Sequence, residues 1–313
     1  QLKEIFKKYN TSGMFYAHAS VGTLHIRPVL NMKSDEDIKN MRSISEESFE
    51  IVKNYKGSHS GEHGDGIVRS EFHEMMFGKK IVNAFEEIKD TFDSKNLLNP
   101  GKIVRPFKSN DRDLMRYKLG YQAQNISTHY DWSNWGQFTD AVEMCNNNGA
   151  CRKLDSGVMC PSYRVTKEEK DLVRGRANTL RLALSNQLPE GSFASKEMYE
   201  TMELCVSCKA CQRECPMSVD MAKMKSEFLS HYYKKFSMRI KDRITSEMPR
   251  LIWLLKIIAP IFNKIKNLPL ISSIVEKFGF AVERNMPEVQ NQNTLREIYN
   301  DQNFSEKKVI LLD

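Results

Sequence analysis

Four cysteines lie within eleven residues in the stretch CVSCKACQRECP (205–216). Their spacing, C-x2-C-x2-C-x3-C-P, is typical of two-cluster iron–sulfur domains, in which three thiolates hold one cubane and the fourth reaches a second cluster. Structural zinc sites usually present two cysteine pairs separated by a longer loop, and disulfides suit small secreted chains. The spacing therefore favours an iron–sulfur cluster over zinc or a disulfide.

A second cysteine group stands upstream, in CNNNGACRKLDSGVMCP (145–161). Asn148 stands at the middle ligand position of this group. Cys160 precedes a proline, so it corresponds to the fourth cysteine of the motif, the crossing cysteine that binds the other cluster. Because the fourth ligand of each motif serves the other cluster, the two groups together predict two ligand sets. These are Cys205, Cys208, Cys211 and Cys160 for cluster B, and Cys145, Cys151 and Cys215 for cluster A.

Cluster A is therefore short of one thiolate. It is either [3Fe–4S], or [4Fe–4S] with an oxygen, nitrogen or water ligand on one iron. The alternative for Asn148 is that it only turns the loop, while a side chain distant in sequence binds the iron. Fewer thiolates carry less negative charge, so we expect cluster A to have a higher reduction potential than cluster B. Two clusters in series predict electron transfer.

Histidines form the second group of residues that could carry out chemistry. Five of the seven histidines lie before residue 74. His18 and His25 flank ASVGTL, and the loop GSHSGEHGDG (57–66) adds His59, Glu62 and His63. Two imidazoles and a carboxylate can hold a divalent metal and leave positions open for a substrate. From spacing alone, the competing interpretation is that these histidines are ordinary polar residues. The loop lacks the G-x-G-x-x-G order, so its glycines favour close approach to a cofactor over phosphate binding.

The elements that must position these residues predict an α+β fold. Residues 13–30 predict two short strands joined by a loop, and helical patterns run from Asp35 to Tyr55 and over about 70–93. The segment LLNPGK (97–102) stops the second helix. Further helical stretches are predicted at 167–187, 195–204, 219–234 and 247–290, the last interrupted at Pro260 and Pro269. The predicted division is a substrate and metal domain (1–104), a linker (105–140), a mainly helical two-cluster domain (141–235) and a helical region (236–313).

Composition excludes some classes of function. The chain of 313 residues is 28% charged with a formal charge of +7, but it has no basic stripe, so we expect no nucleic-acid partner. Its longest apolar run, LIWLLKIIAPIF (251–262), is shorter than the ~20 residues that a membrane helix needs. Apolar residues and lysines alternate over 247–285, which suggests either peripheral membrane contact or, preferably, a scaffold that packs against other domains.

Several segments resemble FAD-linked oxidases of the D-lactate and D-2-hydroxyglutarate dehydrogenase type. FYAHASVGTLHIRPVLN, GSHSGEHGDGIVRSEF and LLNPGKIV resemble the C-terminal half of their flavin domain. DWSNWGQFTDAVEMCNNNGACRK, MCPSYRVTKEEKDLVRGRANTLRLAL and ELCVSCKACQRECPMSVDMAKMKSEF resemble the iron–sulfur domain fused behind it in large bacterial members. Together these segments cover most of residues 13–230 in the family's order.

The resemblance implies roles for the histidine group. His18, His25 and Glu62 would bind zinc or manganese, which would hold the hydroxyl and carboxylate oxygens of a 2-hydroxyacid. His63 would be the general base that takes the hydroxyl proton as hydride leaves Cα for FAD. Asn99 and the 57–66 loop would contact the flavin, whose main binding domain would lie upstream of Gln1.

The resemblance is not complete. The family's H-x-G-D-G-N-x-H reads HASVGTLH here, with Val21 and Thr23 at the polar positions. Arg27 stands where relatives often have asparagine, and Arg27 or Arg69 could pair with a substrate carboxylate or be an exposed residue. These departures put the identity of the substrate in doubt more than the reaction type.

We therefore predict a flavin-dependent D-2-hydroxyacid dehydrogenase that passes electrons through two clusters to an external acceptor, a quinone or an electron carrier. The alternative is an iron–sulfur electron-transfer module without substrate chemistry of its own. We expect a cytoplasmic location, with the membrane's inner face as a candidate contact. The start at Gln1 and the strand-like end KKVILLD suggest an internal piece of a longer protein.

Overall fold

The computed structural model describes residues 1–281, 283, 288 and 289. They form two strands, β1 (Gly13–His18) and β2 (Thr23–Pro28), and many helices, which confirms the predicted α+β class. The α-helices are α1 (Leu2–Lys8), α2 (Asp35–Asn54), α3 (His73–Phe77), α4 (Lys79–Phe92), α5 (Phe138–Glu143), α6 (Pro161–Thr166), α7 (Val173–Leu184), α8 (Lys196–Glu203), α9 (Ala210–Glu214), α10 (Met221–Lys235), α11 (Ile240–Ile265) and α12 (Pro269–Lys277).

The chain divides into two compact units. The first contains residues 1–124 and 184–187, and the second contains 125–183 and the residues from 188 onward. The boundary falls inside the segment 105–140 that the sequence suggests as a linker. Its second half belongs to the second unit, where Trp132 is buried.

The first unit is built on the predicted hairpin. β1 and β2 pair antiparallel, with Tyr16 opposite His25 and His18 opposite Thr23. The turn between them closes with Gly22 in the left-handed region (φ +68°), which suits a residue without a side chain. Helix α1 packs near the hairpin, where Ile5 and Phe6 form a small core with Ile44 of α2.

Helix α2 forms where its periodicity predicts it. Ser34 caps its N-terminus by accepting a hydrogen bond from the Asp37 N–H (3.3 Å), and its first turn is acidic, as the helix dipole favours. At mid-helix, Arg42 donates to Glu71 (2.7 Å), which ties α2 to the short 3-10 turn at 70–72.

The prediction of one helix over 70–93 is wrong. The chain forms the 3-10 turn, then α3, and then α4 as separate elements. Gly78 separates the two helices with φ +80° and ψ 158°, a conformation outside the helical region that residues with side chains rarely adopt. A glycine inside a periodic pattern is tolerated in many helices, so the pattern alone did not reveal the break.

The second unit is mostly helical, as expected. Glu227 of α10 is fully buried and accepts three hydrogen bonds, from the Trp132 indole (3.0 Å) and from the backbone N–H groups of His129 (2.9 Å) and Tyr130 (3.1 Å). These bonds attach residues 129–132 to α10. They explain why residues 125–140 pack against this unit despite their lack of periodicity.

The predicted interruption at Pro260 is wrong. Both Pro249 and Pro260 lie inside α11, and the helix ends only at Ile265, before Pro269 opens α12 at its first turn. An internal proline removes one backbone hydrogen bond and kinks a helix, which costs about 3 kcal/mol but need not end it. No helix in the described ranges is long and apolar enough to cross a bilayer. The predicted strand at KKVILLD lies outside the described residues.

Candidate active site and cluster sites

Three of the predicted metal ligands come together in the first unit. The hairpin register sets His18 at the end of β1 and His25 on β2. Between them lies Glu62, whose Oε2 is 3.3 Å from His18 Nε2 and whose Oε1 is 3.6 Å from His25 Nε2. The three ligand atoms lie within 4.8 Å of one another.

Gly61 is the reason that the loop can approach the hairpin so closely. A Cβ atom at this position would lie 2.8 Å from the Thr23 Cγ2 methyl, closer than real Cβ contacts come. The glycine therefore lets the backbone pass directly over β2 and sets Glu62 between the two imidazoles. Sequence reasoning assigned the glycines a cofactor-approach role in general, but it did not single out this contact.

The donor set fits a divalent cation. His25 Nε2 is buried and makes no hydrogen bond to any residue that the structure describes, although the Glu62 carboxylate lies nearby. A buried nitrogen without a hydrogen bond costs about 1–3 kcal/mol, which a metal bond would offset. Tyr16 stacks on the His25 ring at 4.4 Å between centroids and so fixes its orientation. The sequence did not identify Tyr16, although its position opposite His25 follows from the hairpin register.

His63 lies beside this ligand set. Its Nε2 is 2.5 Å from Glu62 Oε1, and its side chain is 74% exposed. The ring centroids of His63 and His25 are 6.1 Å apart. A solvent-facing imidazole that is oriented by a carboxylate can accept a proton from a substrate bound at the same place.

The other predicted binding residues have different surroundings. Arg27 is exposed on the same face of β2 as His25, and its guanidinium lies over the Tyr16 ring at 5.0 Å. Arg69 donates a hydrogen bond from Nη1 to the His59 carbonyl (2.7 Å), so it braces the 57–66 loop. Asn99 is exposed in a loop and adopts a left-handed conformation with φ +48°.

In the second unit, one cavity brings together the four residues predicted for cluster B. The cavity encloses about 320 Å³, part of it open to solvent, and its lining includes Cys160, Cys205, Cys208 and Cys211. Cys160 adopts a left-handed conformation (φ +55°) just before Pro161 opens α6. The crossing position predicted for Cys160 is thus close to the three cysteines that lie some 50 residues later in the sequence.

Burial makes three of the seven thiols poor acids on their own. It raises the pKa of Cys160 to about 12, although the Val173 N–H donates to the sulfur at 3.2 Å. The pKa values of Cys151 and Cys211 are raised for the same reason. Thiolates at these positions therefore need a strong positive charge nearby, and iron bound by the sulfurs would supply it.

The thiols of the described residues do not form a ready-made zinc site. All seven cysteines are free, and among the described residues, which include all seven, no three thiol sulfurs lie within 4.8 Å of one another. Tetrahedral zinc with bonds of about 2.3 Å would bring its sulfurs to about 3.8 Å from each other. No three of the seven sulfurs are this close together, so the arrangement does not favour zinc.

Around the cluster A cysteines, the structure shows what Asn148 does. Its Oδ1 accepts from the Ala150 N–H (2.8 Å) and its Nδ2 donates to Asn146 (2.6 Å), so its amide is engaged in the local turn. Cys145 and Cys151 are buried on either side of this turn. Cys215 is partly buried at the C-terminal end of α9.

Two cationic residues near cluster B were missed by sequence reasoning. Arg176, 1% exposed, lines the cavity and donates to the Thr201 carbonyl (2.9 Å). Lys225 donates to the Cys205 carbonyl (2.6 Å), and burial lowers its pKa. Basic residues are common on helices, so no signal in the sequence separated these two from the remainder.

Two parts of the chain match known family models. Residues 1–103 match the model "FAD linked oxidases, C-terminal domain", and residues 141–219 match the model "4Fe-4S dicluster domain". No solved structure matches the chain significantly.

Two of the following curated relatives match most of the chain, and the third matches a third of it. A D-2-hydroxyglutarate dehydrogenase of Haemophilus influenzae is 28% identical over 310 residues, which cover 88% of this chain and 30% of that protein. The Escherichia coli protein of the same name is 27% identical, over 93% of this chain and 32% of that protein. A D-lactate dehydrogenase of Archaeoglobus fulgidus is 31% identical over 33% of this chain and 22% of its own length. The chain thus spans about 30% of the length of the D-2-hydroxyglutarate dehydrogenases that it matches.

The matches agree with the geometry in their order along the chain. The histidine site lies within the first matched region, and all seven cysteines lie within the second. FAD and iron–sulfur clusters are the cofactors of these two kinds of domain. The chain thus combines a part similar to FAD-linked oxidase C-terminal domains, residues 1–103, with a part similar to 4Fe-4S dicluster domains, residues 141–219.

Proposed function

We propose that this chain is the substrate-binding and electron-exit part of a flavin-dependent D-2-hydroxyacid dehydrogenase. The observation that supports this most is the convergence of His18, His25 and Glu62 beside His63, in a chain that also carries a dicluster domain. The curated relatives named for D-2-hydroxyglutarate and D-lactate point to the same substrate class.

In this proposal, the protein's own residues bind and deprotonate the substrate. His18, His25 and Glu62 would hold a zinc or manganese ion. His63 receives the proton of the substrate hydroxyl on Nδ1, because its Nε2 faces the Glu62 carboxylate. Glu62 Oε1, 2.5 Å from Nε2, stabilises the imidazolium that results. When bound, the metal supplies a Lewis acid for the hydroxyl and carboxylate oxygens, and the flavin supplies the hydride acceptor.

Arg27 is the proposed partner of a substrate carboxylate. It lies two residues beyond His25 on the same strand face and is exposed, so a bound anion can reach it. The Tyr16 ring beneath its guanidinium limits the directions in which the side chain can extend. Arg69 has a smaller role in substrate binding here, because it already donates to the loop backbone.

The cysteines would hold two iron–sulfur clusters, which would supply an electron path from the flavin to a quinone or a small electron carrier. The proposed ligands of cluster B are the four cysteines of the 320 Å³ cavity, and those of cluster A are Cys145, Cys151 and Cys215. Arg176 and Lys225 place positive charge beside cluster B, which favours its reduced and more negative state.

A substrate panel with metal-site variants tests this function. The holoprotein, expressed from its complete reading frame, should oxidise D-2-hydroxyacids with a dye as acceptor. His25→Ala should abolish this oxidation and remove a zinc or manganese ion while the iron content stays constant. His129→Ala is the matched control, because this exposed histidine lies in the other unit. No oxidation of any D-2-hydroxyacid by the intact protein, with reducible clusters present, would instead favour the electron-transfer module that Val21 and Thr23 suggest.

We also propose a peripheral membrane contact for α11 and α12. Trp253, Ile257 and Ile261 recur at four-residue spacing on one face of α11 and are 59–67% exposed. Such a face can insert into a bilayer surface or pack against another domain. Co-sedimentation of the holoprotein with anionic liposomes tests the membrane role. Recovery of all the protein in the supernatant would reject it and leave domain packing.

A further inference from the structure

A second cluster of metal-binding side chains lies apart from the first one in the first unit. It consists of His59 and Asp65, which lie near the two ends of the 57–66 loop, and of His73 at the start of α3. One ligand atom from each lies within 4.8 Å of the others. The active-site argument assigns no role to this group.

The distances within the cluster are those of ligands around one ion. His73 Nε2 is 2.9 Å from Asp65 Oδ2, and His59 Nε2 is 3.5 Å from Asp65 Oδ1. Ligands bonded at about 2.0–2.1 Å in a tetrahedral zinc site are about 3.3 Å apart. The first site, with corresponding distances of 3.3 and 3.6 Å, has the same spacing.

The polar atoms of the cluster do not satisfy one another. His73 Nε2 and Asp65 Oδ1 are buried, and neither makes a hydrogen bond within the described part of the chain. His73 Nε2 lies 2.9 Å from Asp65 Oδ2 without a hydrogen bond between them, so this nitrogen is available to a cation. Each buried unsatisfied group costs about 1–3 kcal/mol, and together they make an empty cluster unfavourable.

The surroundings orient His73 as a metal ligand and keep the cluster dry. Its Nδ1 faces the Ile103 carbonyl at 3.1 Å, so a proton on Nδ1 leaves the Nε2 lone pair directed at the cluster. Both imidazoles are buried, with exposures of 4% for His59 and 2% for His73. Aromatic rings lie against them, namely those of Phe49, Phe77 and Phe85.

His59 can contribute its nitrogen at small cost. Its Nε2 lies 3.3 Å from the Arg69 carbonyl, which is long for an N–H···O hydrogen bond, so little is lost when a cation replaces the proton. Burial lowers the pKa of His59, which favours the neutral ring that binds metals.

We infer that His59, Asp65 and His73 bind a second divalent cation, zinc by its preference for two imidazoles and one carboxylate. This ion is structural, since its site is buried. It joins residues on both sides of Glu62 and His63 to α3, and it thereby fixes the loop that carries the proposed general base.

The test is a metal count on the holoprotein, expressed from its complete reading frame and saturated with zinc before desalting. Non-iron metals are measured by mass spectrometry for the wild type, Asp65→Asn and His25→Ala. We expect each variant to lose one of two zinc ions. Asp65→Asn keeps the size of the side chain, and zinc retention by wild-type protein during chelator treatment gives a second reading that does not depend on the variant's folding. Chelator treatment of the wild type should remove two zinc ions at different rates. The ion at the buried site of His59, Asp65 and His73 should leave more slowly.

The outcomes separate this site from the proposed function. A single ion that His25→Ala removes and Asp65→Asn retains would overturn the second site and leave the active site intact. A single ion that survives His25→Ala and is lost in Asp65→Asn would support the second site and count against the first. No zinc in the saturated wild type would overturn both.

Discussion

The histidine site and the cysteine site differ in how far their side chains are exposed to solvent. In the first unit, His18 and His63 are 53% and 74% exposed, and their nitrogens lie within 3.3 Å of one carboxylate. In the second unit, four of the seven cysteines are buried, and no three sulfurs are as close as the ligands of the first site, all cysteines being described. A site that must admit a substrate stays open with its ligands converged. The cysteine site has four of its seven thiols buried, and its sulfurs do not converge as the ligands of the histidine site do.

The two sites also differ in the charge that surrounds them. Glu62 places a negative charge among the imidazoles, which suits a cation. The cysteine cavity has Arg176 in its lining, which suits a cluster that becomes more negative on reduction. The charge next to each site is thus opposite to that of the group that it is proposed to hold.

The largest effect on activity should come from a variant of the exposed histidine site in the first unit. His63→Ala removes the proposed general base, so turnover should fall by about 10²–10⁴-fold, the usual worth of general base catalysis. Iron content and dithionite-reduced EPR signals should not change, since the cysteines lie in the other unit. Steady-state kinetics with a D-2-hydroxyacid and iron analysis on the same sample check this. Full turnover in the variant would remove His63 from the mechanism.

A cysteine variant should have the reverse pattern. Cys160→Ala removes the crossing ligand from the cavity, so we expect loss of the cluster B signal and a large fall in acceptor reduction. Flavin reduction by substrate in a single turnover should persist. Val206→Ala, at an exposed position in the same cavity lining, is the matched control. An unchanged iron content in Cys160→Ala would show that the crossing assignment is wrong.

Gly61→Ala tests how the open site is assembled. The new methyl group would collide with Thr23 Cγ2 and move Glu62 away from the hairpin. We expect metal affinity and activity to fall by about 10–100-fold, as for other changes that misplace metal ligands. Thr23→Ser removes the colliding methyl, so the double variant should recover much of the loss. Without such recovery, the close approach at Gly61 would not be the cause.

Glu227 provides a pH-dependent test in the second unit alone. Burial by itself would raise its pKa, but hydrogen bonds from His129, Trp132 and Tyr130 outweigh it, and the pKa is lowered from 4.5. Its stabilisation is therefore complete above pH 4.5 and is lost as the pH falls through the lowered value. Glu227→Gln should lower the free energy of unfolding by about 1–3 kcal/mol near pH 7. Denaturant titrations at several pH values measure both effects, and equal losses at pH 7 and at pH 3 would contradict this assignment.

The smallest effect should be on the redox potential of cluster B. Arg176→Met removes a buried positive charge from the cavity lining, so the potential should fall on the order of 50 mV, equivalent to a tenfold change for one electron. Arg176→Lys keeps the charge and should restore most of it. EPR-monitored redox titration measures both variants, and an unchanged potential in Arg176→Met would show that this charge does not act on the cluster.

The sequence predicted the two sites to different depths. The cysteine ligands are adjacent in sequence, so their spacing alone indicated the clusters and the crossing role of Cys160. The histidine site depends on strand pairing and on the approach of Gly61 to Thr23, and spacing left it open until the resemblance was considered. Asp65 and His73 were not singled out, since their proximity depends on where α3 begins. Gly78 and Pro260 show the limit of local rules, because a glycine ended a helix there and a proline did not.

One measurement tests the link between the two regions most directly. Anaerobic holoprotein is mixed with D-2-hydroxyglutarate or D-lactate, frozen at intervals and examined by low-temperature EPR, in the wild type and in His63→Ala. We predict that substrate reduces the clusters within the wild-type turnover time. In His63→Ala, only dithionite should reduce them. Equal reduction by substrate in both proteins, or none in the wild type while dithionite still reduces its clusters, would contradict the account.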